Sequence, residues 1–309
     1  MNEKIDLLLE NISKVIVGKY DVIKKAIITL IAGGHLLIED VPGVGKTMLA
    51  KSIAKSINLD FKRIQFTPDL LPSDIIGVTV YNERLKEFEF KKGPIFSNII
   101  LADEINRTTP KTQSALLEAM EERQVTVDGK TYPLLEPFFV IATENPIEYE
   151  GTFPLPEAQL DRFFMKIEIG YPDKSDEIFL LSRVQIKHPI EDLKEVITKE
   201  DILNIQKEIK NVHVDDSLKE YIVQLGRSLR DDEDIYLGPS PRSLIVLMRV
   251  SQAKAYIEGR DFIIPDDIKY LFPSVMSHRI ILKPESKLKG ISENEVIERT
   301  ILKVEVPIV

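Results

Sequence analysis

The residues best suited to chemistry lie between His35 and Thr47, in the segment HLLIEDVPGVGKT. An apolar run there leads into the order G-x-G-K-[ST], whose bare backbone N–H groups can bind phosphate. In this pattern the lysine can reach the β- and γ-phosphates, and the threonine can hold Mg²⁺. The residues predicted to contact a nucleotide are Pro42, Gly43, Val44, Gly45, Lys46, Thr47 and Met48. One position departs from the full pattern G-x-x-x-x-G-K-[ST], because Asp40 stands in place of its first glycine.

Two further apolar runs end in polar residues that suit phosphate chemistry. The first leads into Asp103 and Glu104, and beside a phosphate loop the first acid can support Mg²⁺ while the second activates water. The second run, FFVIATENP, ends in Thr143 and Asn145. The amide of Asn145 could position water beside the γ-phosphate, or it could simply cap a turn.

Length and composition limit the classes of protein that remain. At 309 residues and 35.2 kDa, the chain predicts two domains. The net charge of −9 argues against a nucleic-acid-binding surface, and zero cysteines exclude disulfides and thiolate metal sites. The longest uncharged run, residues 26–38, is too short to cross a bilayer, so no membrane insertion and a cytoplasmic location are expected.

The order of elements predicts an α/β fold. Strand-like runs alternate with helical patterns up to about residue 170, which indicates a parallel sheet between helices. Two segments, 77–90 and 124–134, interrupt that alternation and are predicted as inserted β-hairpins; Asp128-Gly129 is a strong turn signal in the second. Beyond residue 171 only helical patterns follow, with caps predicted at Thr198, at Asp215 or Asp216, and at Ser240.

Several motifs together resemble one family. EDVPGVGKT, LADEINRTTPKTQSALLEAMEE, IATENP and GTFPLPEAQLDRF are similar to segments of the MoxR branch of the AAA+ ATPases, and GPSPRSL is similar to its sensor-2 segment. The resemblance implies an AAA+ nucleotide-binding core over residues 1–170 and a small all-helical lid over 171–309. An acidic residue is common at the position of Asp40 in this branch, although its carboxylate would repel phosphate unless it points away.

The resemblance also implies roles for single residues. Lys46 and Thr47 resemble the Walker A lysine and Mg²⁺ ligand, and Asp103 and Glu104 resemble the Walker B pair. The remaining roles fall to residues outside these two motifs: Asn145 as sensor 1, Arg162 as an arginine finger, Arg242 as sensor 2, and Val17 with Gly18 at the adenine pocket. The implied ligands are ATP and Mg²⁺.

Other interpretations of the arginines remain open. Arg242, at the second position of a helix, could face an anion or could cap its own helix. Arg162 could form a salt bridge to Asp161 or Glu157 instead of reaching a neighbour. Arg107 is a second candidate for a contact between subunits.

The expected function is that of an ATP-hydrolysing chaperone-like remodeller. The resemblance implies a ring, a hexamer in the leading hypothesis, and a client protein, often one with a von Willebrand factor A domain. In such rings the two hairpins transmit the nucleotide state, whereas on an ordinary surface their charges would only prevent aggregation. The alternatives are a nucleic-acid-remodelling ring motor, against which the acidic charge argues, and a low-turnover ATP-dependent scaffold or switch.

Overall fold

The centre of the protein is a parallel β-sheet between layers of helices. The computed structural model describes residues 3–147, 151–185 and 188–307. The sheet has five strands in the order β2-β5-β8-β1-β9, and every pairing in it is parallel. The elements up to the last strand of this sheet are α1 (Glu3–Ser13), α2 (Tyr20–Ile31), β1 (Leu36–Glu39), α3 (Lys46–Ile57), β2 (Phe61–Gln65), α4 (Pro72–Ile76), β3 (Gly77–Asn82), β4 (Glu87–Lys92), β5 (Ile99–Asp103), α5 (Pro110–Glu122), β6 (Gln124–Val127), β7 (Lys130–Pro133), β8 (Phe139–Glu144), α6 (Glu157–Leu160) and β9 (Met165–Ile167).

The sheet is buried on both faces, which explains why its inner strands are apolar at nearly every position. β1, β5 and β8 are almost wholly buried. One face packs against the first helices and α3, and the other packs against α4 and α5. Because parallel strands end at one edge of a sheet, the ends of β1, β5 and β8 bring their polar residues together there. This confirms the predicted α/β arrangement.

Both predicted hairpins are present beside the sheet. β3 pairs with β4 and β6 pairs with β7, each in antiparallel register. At the turn of the second hairpin, Asp128 and Gly129 have φ values of 49° and 75°, the left-handed pair that a tight hairpin turn requires. Phe90 of the first hairpin stacks on Tyr132 of the second, with ring centroids 4.5 Å apart. The two hairpins therefore form one packed unit.

From α7 onwards, the described residues form helices and two short strands. These elements are α7 (Lys174–Val184), α8 (Lys199–Glu208), α9 (Asp216–Arg230), β10 (Ile235–Leu237), α10 (Pro241–Ile257), α11 (Pro265–Met276), β11 (Ile281–Leu282), α12 (Pro284–Leu288) and α13 (Glu293–Lys303). The predicted caps occur at Thr198, Asp215 and Ser240. The antiparallel pair β10–β11 corrects the expectation of an all-helical lid, since strands of three and two residues are too short to show a periodic pattern.

The helical region is packed firmly onto the core. One apolar cluster runs from α1 and α2 across the sheet to α8–α11 and α13. Lys24 of α2 forms an ion pair with Glu258 at 2.8 Å, and Gln206 of α8 donates to the carbonyl of Leu30 at 2.8 Å. The division at residue 170 stays a prediction, because the apolar core continues across it. In the described parts of the chain, every helix is too short or too polar to cross a membrane.

Candidate active site

The loop between β1 and α3 has the backbone shape of an anion-binding loop. Gly43 and Gly45 have φ values of 89° and 99°, which only glycine adopts without strain. A Cβ added to either would meet no described atom within 4 Å, so the space over both is open. Gly45 is also the N-cap of α3, and the first turn of that helix contains no acidic residue. The bare N–H groups and the helix N-terminus therefore suit phosphate.

This loop forms one wall of a cavity of about 290 Å³. The cavity is lined by Pro42, Gly43, Gly45, Lys46, Thr47, Arg63, Asp103 and Glu104. Six of these eight residues are predicted nucleotide or metal contacts, Glu104 is the predicted general base, and Arg63 is the addition. The ends of β1 and β5 thus bring the phosphate loop and the acidic pair to one space.

Lys46 is held in the cavity with its charge close to acids. The side chain is buried, and Nζ donates to the carbonyl oxygen of Asp40 at 2.6 Å. Burial lowers the pKa of Lys46, while the charges of Asp103, Asp40 and Glu104 act in the opposite direction. A phosphate bound here would add further negative charge and so favour the ammonium form.

The side chain of Asp40 points away from the phosphate space. Its Oδ2 accepts hydrogen bonds from the backbone N–H of Ile169 at 2.8 Å and of Gly170 at 2.7 Å, and Oδ1 accepts from Val41 at 2.7 Å. The residue is only 8% exposed. Asp40 therefore anchors the start of the phosphate loop to the segment that follows β9, and its carboxylate is satisfied by backbone donors.

Thr143 connects the two acids at the end of β5. Its Oγ1 donates to Asp103 Oδ1 at 2.7 Å and accepts from the backbone N–H of Glu104 at 2.8 Å. Glu104 has a φ of 58°, a left-handed conformation that is uncommon for a residue with a side chain. Thr143 of the neighbouring β8 thus holds Asp103 and stabilises the turn that directs the Glu104 side chain.

The carboxylate of Glu104 has two partners within its own chain. Its Oε2 accepts from Gln65 Nε2 at 2.6 Å and from Arg107 Nη1 at 2.9 Å. Arg107, predicted as a second candidate for a contact between subunits, is therefore paired inside the subunit. A carboxylate held by two donors is oriented, which a general base requires.

Arg63 is a site residue that sequence reasoning missed. It extends from β2 and binds Asp103 Oδ2 through Nε at 3.0 Å and Nη2 at 2.6 Å. The side chain is 49% exposed and lines the cavity. The sequence signal was a charged residue in the middle of the strand FKRIQ, and it acquires meaning only once the register pairs β2 with β5. Arg63 thus competes with any cation for the same carboxylate oxygen.

A second cavity, of about 490 Å³, lies beside the first and shares Gly43 and Gly45 with it. Among its other lining residues are Val17, Val44, Met48, Tyr171 and Leu180, which offer apolar surface. Gly18 does not line the cavity, but its neighbourhood is tight: a Cβ there would lie 1.7 Å from a carboxylate oxygen of Asp176. The predicted adenine segment therefore packs against the start of α7. A flat base could fit this space with its phosphates in the first cavity.

Asn145 lies at the end of β8 and is buried. Its Oδ1 accepts from the backbone N–H of Ile147 at 3.2 Å, which is the turn-capping role that the sequence left open. The oxygen is used in this turn, so the NH₂ group is the part of the amide that could orient water. The role of sensor 1 stays a prediction.

Arg162 and Arg242 converge on a single carboxylate outside both cavities. Arg162 Nε lies 3.2 Å from Glu121 Oε2, and Arg242 Nη1 lies 2.8 Å from Glu121 Oε1. The alternative salt bridge of Arg162 was predicted with Asp161 or Glu157, and this choice of partner was wrong. The partner is Glu121, because the C-terminal end of α5 lies beside this arginine. Among the residues described, those lining the two cavities do not include either arginine. Both arginine side chains remain partly exposed, at 27% and 42%.

Comparisons with known proteins identify the family of the chain. Residues 35–165 match the model of the ATPase family associated with various cellular activities (AAA), and residues 227–300 match the AAA lid domain. The chain is 55% identical to the uncharacterized protein YeaC of Bacillus subtilis over 97% of this chain and 94% of that protein. It is 39% identical to Chaperone MoxR1 of Mycobacterium tuberculosis, over 96% of this chain and 80% of the relative.

A further relative and a solved structure extend the similarity. Protein MoxR of Methylorubrum extorquens is 30% identical over 90% of this chain and 88% of its own length. A crystal structure from Cytophaga hutchinsonii superposes with a TM-score of 0.93 at 45% identity, covering 99% of this chain and 96% of the other. The fold and these relatives together place the chain in the MoxR family of AAA+ ATPases.

Proposed function

We propose that the protein hydrolyses ATP to ADP and phosphate with the help of Mg²⁺. The observation that carries this proposal is the cavity in which the phosphate loop, Lys46 and the acidic pair Asp103–Glu104 meet. The adjoining apolar cavity supports a nucleotide rather than a simple phosphate ligand, because both cavities share the glycines of the loop. A loop that only bound phosphate would not need an acid such as Glu104, whose carboxylate is oriented by hydrogen bonds from Gln65 and Arg107.

The residues of the cavity suit Mg²⁺ and ATP. Thr47 and Asp103 supply a hydroxyl and a carboxylate, the oxygen ligands that Mg²⁺ prefers, with phosphates and water completing its shell. When bound, the ion would neutralise charge on the phosphates. No cluster of three or more metal-binding side chains occurs in the described residues, which agrees with an ion held largely by substrate.

Glu104 would act as the general base. Water would attack the γ-phosphorus, the bond from that phosphorus to the β–γ bridging oxygen would break, and Glu104 would take the proton of the water. Lys46 and the loop N–H groups would hold the phosphates in place, and the Asn145 amide would position the water. A comparison of the wild type with Glu104→Gln tests this. Equal, negligible ATP turnover in both would instead favour a low-turnover scaffold or switch.

We further propose that the active assembly is a ring, a hexamer in the simplest case. Arg162 and Arg242 support it, since both are partly exposed, share Glu121 and lie outside the cavities of their own chain. Each would complete the site of the neighbouring subunit. An arginine supplied in this way raises turnover by about 10³- to 10⁵-fold in related phosphoryl-transfer enzymes.

Mixed rings test the trans role of Arg162. Glu104→Gln subunits keep their arginines and Arg162→Ala subunits keep their acids, so a randomly mixed ring restores about one quarter of the interfaces. Each variant alone should be inactive, and the mixture should regain ATP turnover. Failure of the mixture to regain any would contradict the shared site.

The client would be another protein. One relative is named a chaperone, and the family resemblance suggests a client with a von Willebrand factor A domain. The first hairpin offers apolar surface for such a contact, because Tyr81, Leu85 and Phe88 are exposed at its tip. Glu104→Gln in ATP should hold the client, so a pull-down with it, compared with the same variant without nucleotide, tests this role. Stimulation of ATP turnover by DNA at low salt would favour a nucleic-acid motor instead.

A further inference from the structure

The two candidate trans arginines are joined through the ion pair of a partly buried carboxylate, Asp161, with a buried guanidinium, Arg279. Arg162 follows the four-residue helix α6, and Arg242 lies in the first turn of α10. Between them is Asp161, the residue directly before Arg162. Its carboxylate accepts hydrogen bonds from the hydroxyls of Ser240 at 3.1 Å and Ser243 at 3.4 Å. Asp161 thus attaches the loop of one arginine to the helix N-terminus that carries the other.

Arg279 holds the Asp161 carboxylate in place from the protein interior. Its Nε donates to Asp161 Oδ1 at 2.7 Å, and its side chain is only 2% exposed. Nη2 donates to the backbone carbonyl of Asp161 at 3.2 Å and Nη1 to that of Phe164 at 3.1 Å, both in the Arg162 loop. Nη1 also donates to the carbonyl of Val275 in α11. Burial lowers the pKa of Arg279 to about 10, and the charge of Arg242 contributes in the same direction. The guanidinium therefore remains a cation at neutral pH.

Local structure alone would not hold these arginines in place. A helix of four residues has little stability of its own, so the loop after α6 depends on tertiary contacts. The Asp161 carboxylate also lies at the N-terminus of α10, where the helix dipole favours a negative charge. The Asp161 carboxylate and the buried Arg279 guanidinium thus link the loop of Arg162 to the helix that carries Arg242.

We propose that the Asp161–Arg279 pair is a positioning device that presents Arg162 and Arg242 as one rigid unit to the nucleotide of the neighbouring subunit. This inference rests on the proposed ATPase function and on the shared site. It predicts that a substitution of Asp161 impairs catalysis in the active site of the neighbouring subunit, while the phosphate loop of the substituted chain still binds nucleotide. If the pair only stabilised the fold, the substitution would impair both the neighbouring active site and nucleotide binding by the same chain.

The test is Asp161→Asn, which keeps the size of the side chain and removes its charge. We expect its kcat for ATP to fall by about 10- to 100-fold, because small displacements of catalytic groups have effects of that order. The KM should change by less than about threefold, since the chain's own loop is intact. Mixing with Glu104→Gln subunits should regain activity, because the arginines then come from the partner variant. Ser243→Ala, a milder change, should lower kcat in the same direction.

The matched control is Asp234→Asn. Asp234 accepts from Arg299 at 2.7 Å and from the hydroxyl of Ser286 at 2.8 Å, so the same substitution breaks a similar arrangement away from both arginines. Its kcat should stay at the wild-type value. Wild-type kcat in Asp161→Asn, an equal loss in Asp234→Asn, or no recovery on mixing would each overturn the proposal. An inactive wild type, or no recovery in the Arg162→Ala mixture, would instead contradict the proposed function.

Discussion

Replacing Asp40 by glycine, the residue that the general phosphate-loop pattern has at this position, tests what its carboxylate does. In the structure the carboxylate accepts the N–H groups of Ile169 and Gly170 and is nearly buried. Glycine would leave both donors without this acceptor. If Asp40 is an anchor, the substitution should weaken the fold and nucleotide binding together, although it removes a negative charge near phosphate.

The size of the effect follows from these two hydrogen bonds. A hydrogen bond to a charged group contributes about 1.5–3 kcal/mol to stability. Because both donors share Oδ2, we take the lower value for each, which gives about 3 kcal/mol for the pair. The conformational freedom of glycine in the unfolded chain adds up to about 1 kcal/mol. The expected loss in the free energy of unfolding is therefore about 3–4 kcal/mol, or a Tm lower by roughly 5–6 °C in a chain of 309 residues.

Urea denaturation measures the stability, and titration with ATP measures the affinity. We expect Asp40→Gly to bind ATP about tenfold more weakly if 1.4 kcal/mol of the lost anchoring appears in binding. Asp40→Asn is the matched control, because its amide oxygen can still accept from both N–H groups without the charge. Its stability and affinity should lie between those of the wild type and Asp40→Gly. Tighter ATP binding in both variants, with unchanged stability, would refute the anchoring role and show that the carboxylate repels phosphate.

The remaining predictions concern Glu104, Arg63 and Glu144, the last residue of β8. Glu104→Gln should lower kcat by about 10²- to 10⁴-fold while ATP still binds, as measured by phosphate release and by nucleotide titration; unchanged turnover would exclude Glu104 as the base. Arg63→Ala should lower the Mg²⁺ concentration for half-maximal turnover by about 1.5- to 5-fold, because a half-exposed competitor of the ion for Asp103 is lost; an unchanged Mg²⁺ titration would contradict this. Burial and the neighbouring Glu39 raise the pKa of Glu144 to about 7, so ionisation of this carboxyl disfavours the folded state. As far as Glu144 is concerned, the free energy of unfolding is highest below about pH 4.5, the pKa of the group in the unfolded chain, and falls as the pH rises to about 7. Glu144→Gln should therefore stabilise the protein by about 3 kcal/mol at pH 8 and hardly at all at pH 4, and equal effects at both pH values in urea denaturation would contradict the shift.

Local patterns predicted much of the fold and of the site. The phosphate loop was identifiable because its glycines, lysine and threonine act through a few consecutive backbone positions. The turn at Asp128-Gly129 and the caps at Thr198 and Ser240 depend on equally local chemistry, and the structure has all three. The short strands β10 and β11 were missed because they are stabilised only by pairing with each other across distant sequence.

What the sequence alone determined is the family, the alternation of strands and helices, and the residue types that chemistry at a phosphate requires. What only the tertiary structure decided is which side chains meet. The order of strands in the sheet places Arg63 beside Asp103. The segment after β9 donates hydrogen bonds to Asp40 and so holds its carboxylate away from the phosphate space. Glu121 forms ion pairs with both Arg162 and Arg242. The physical reason is that a side chain's partner depends on the packing of elements far apart in sequence, whereas loops, caps and periodic faces depend on near neighbours.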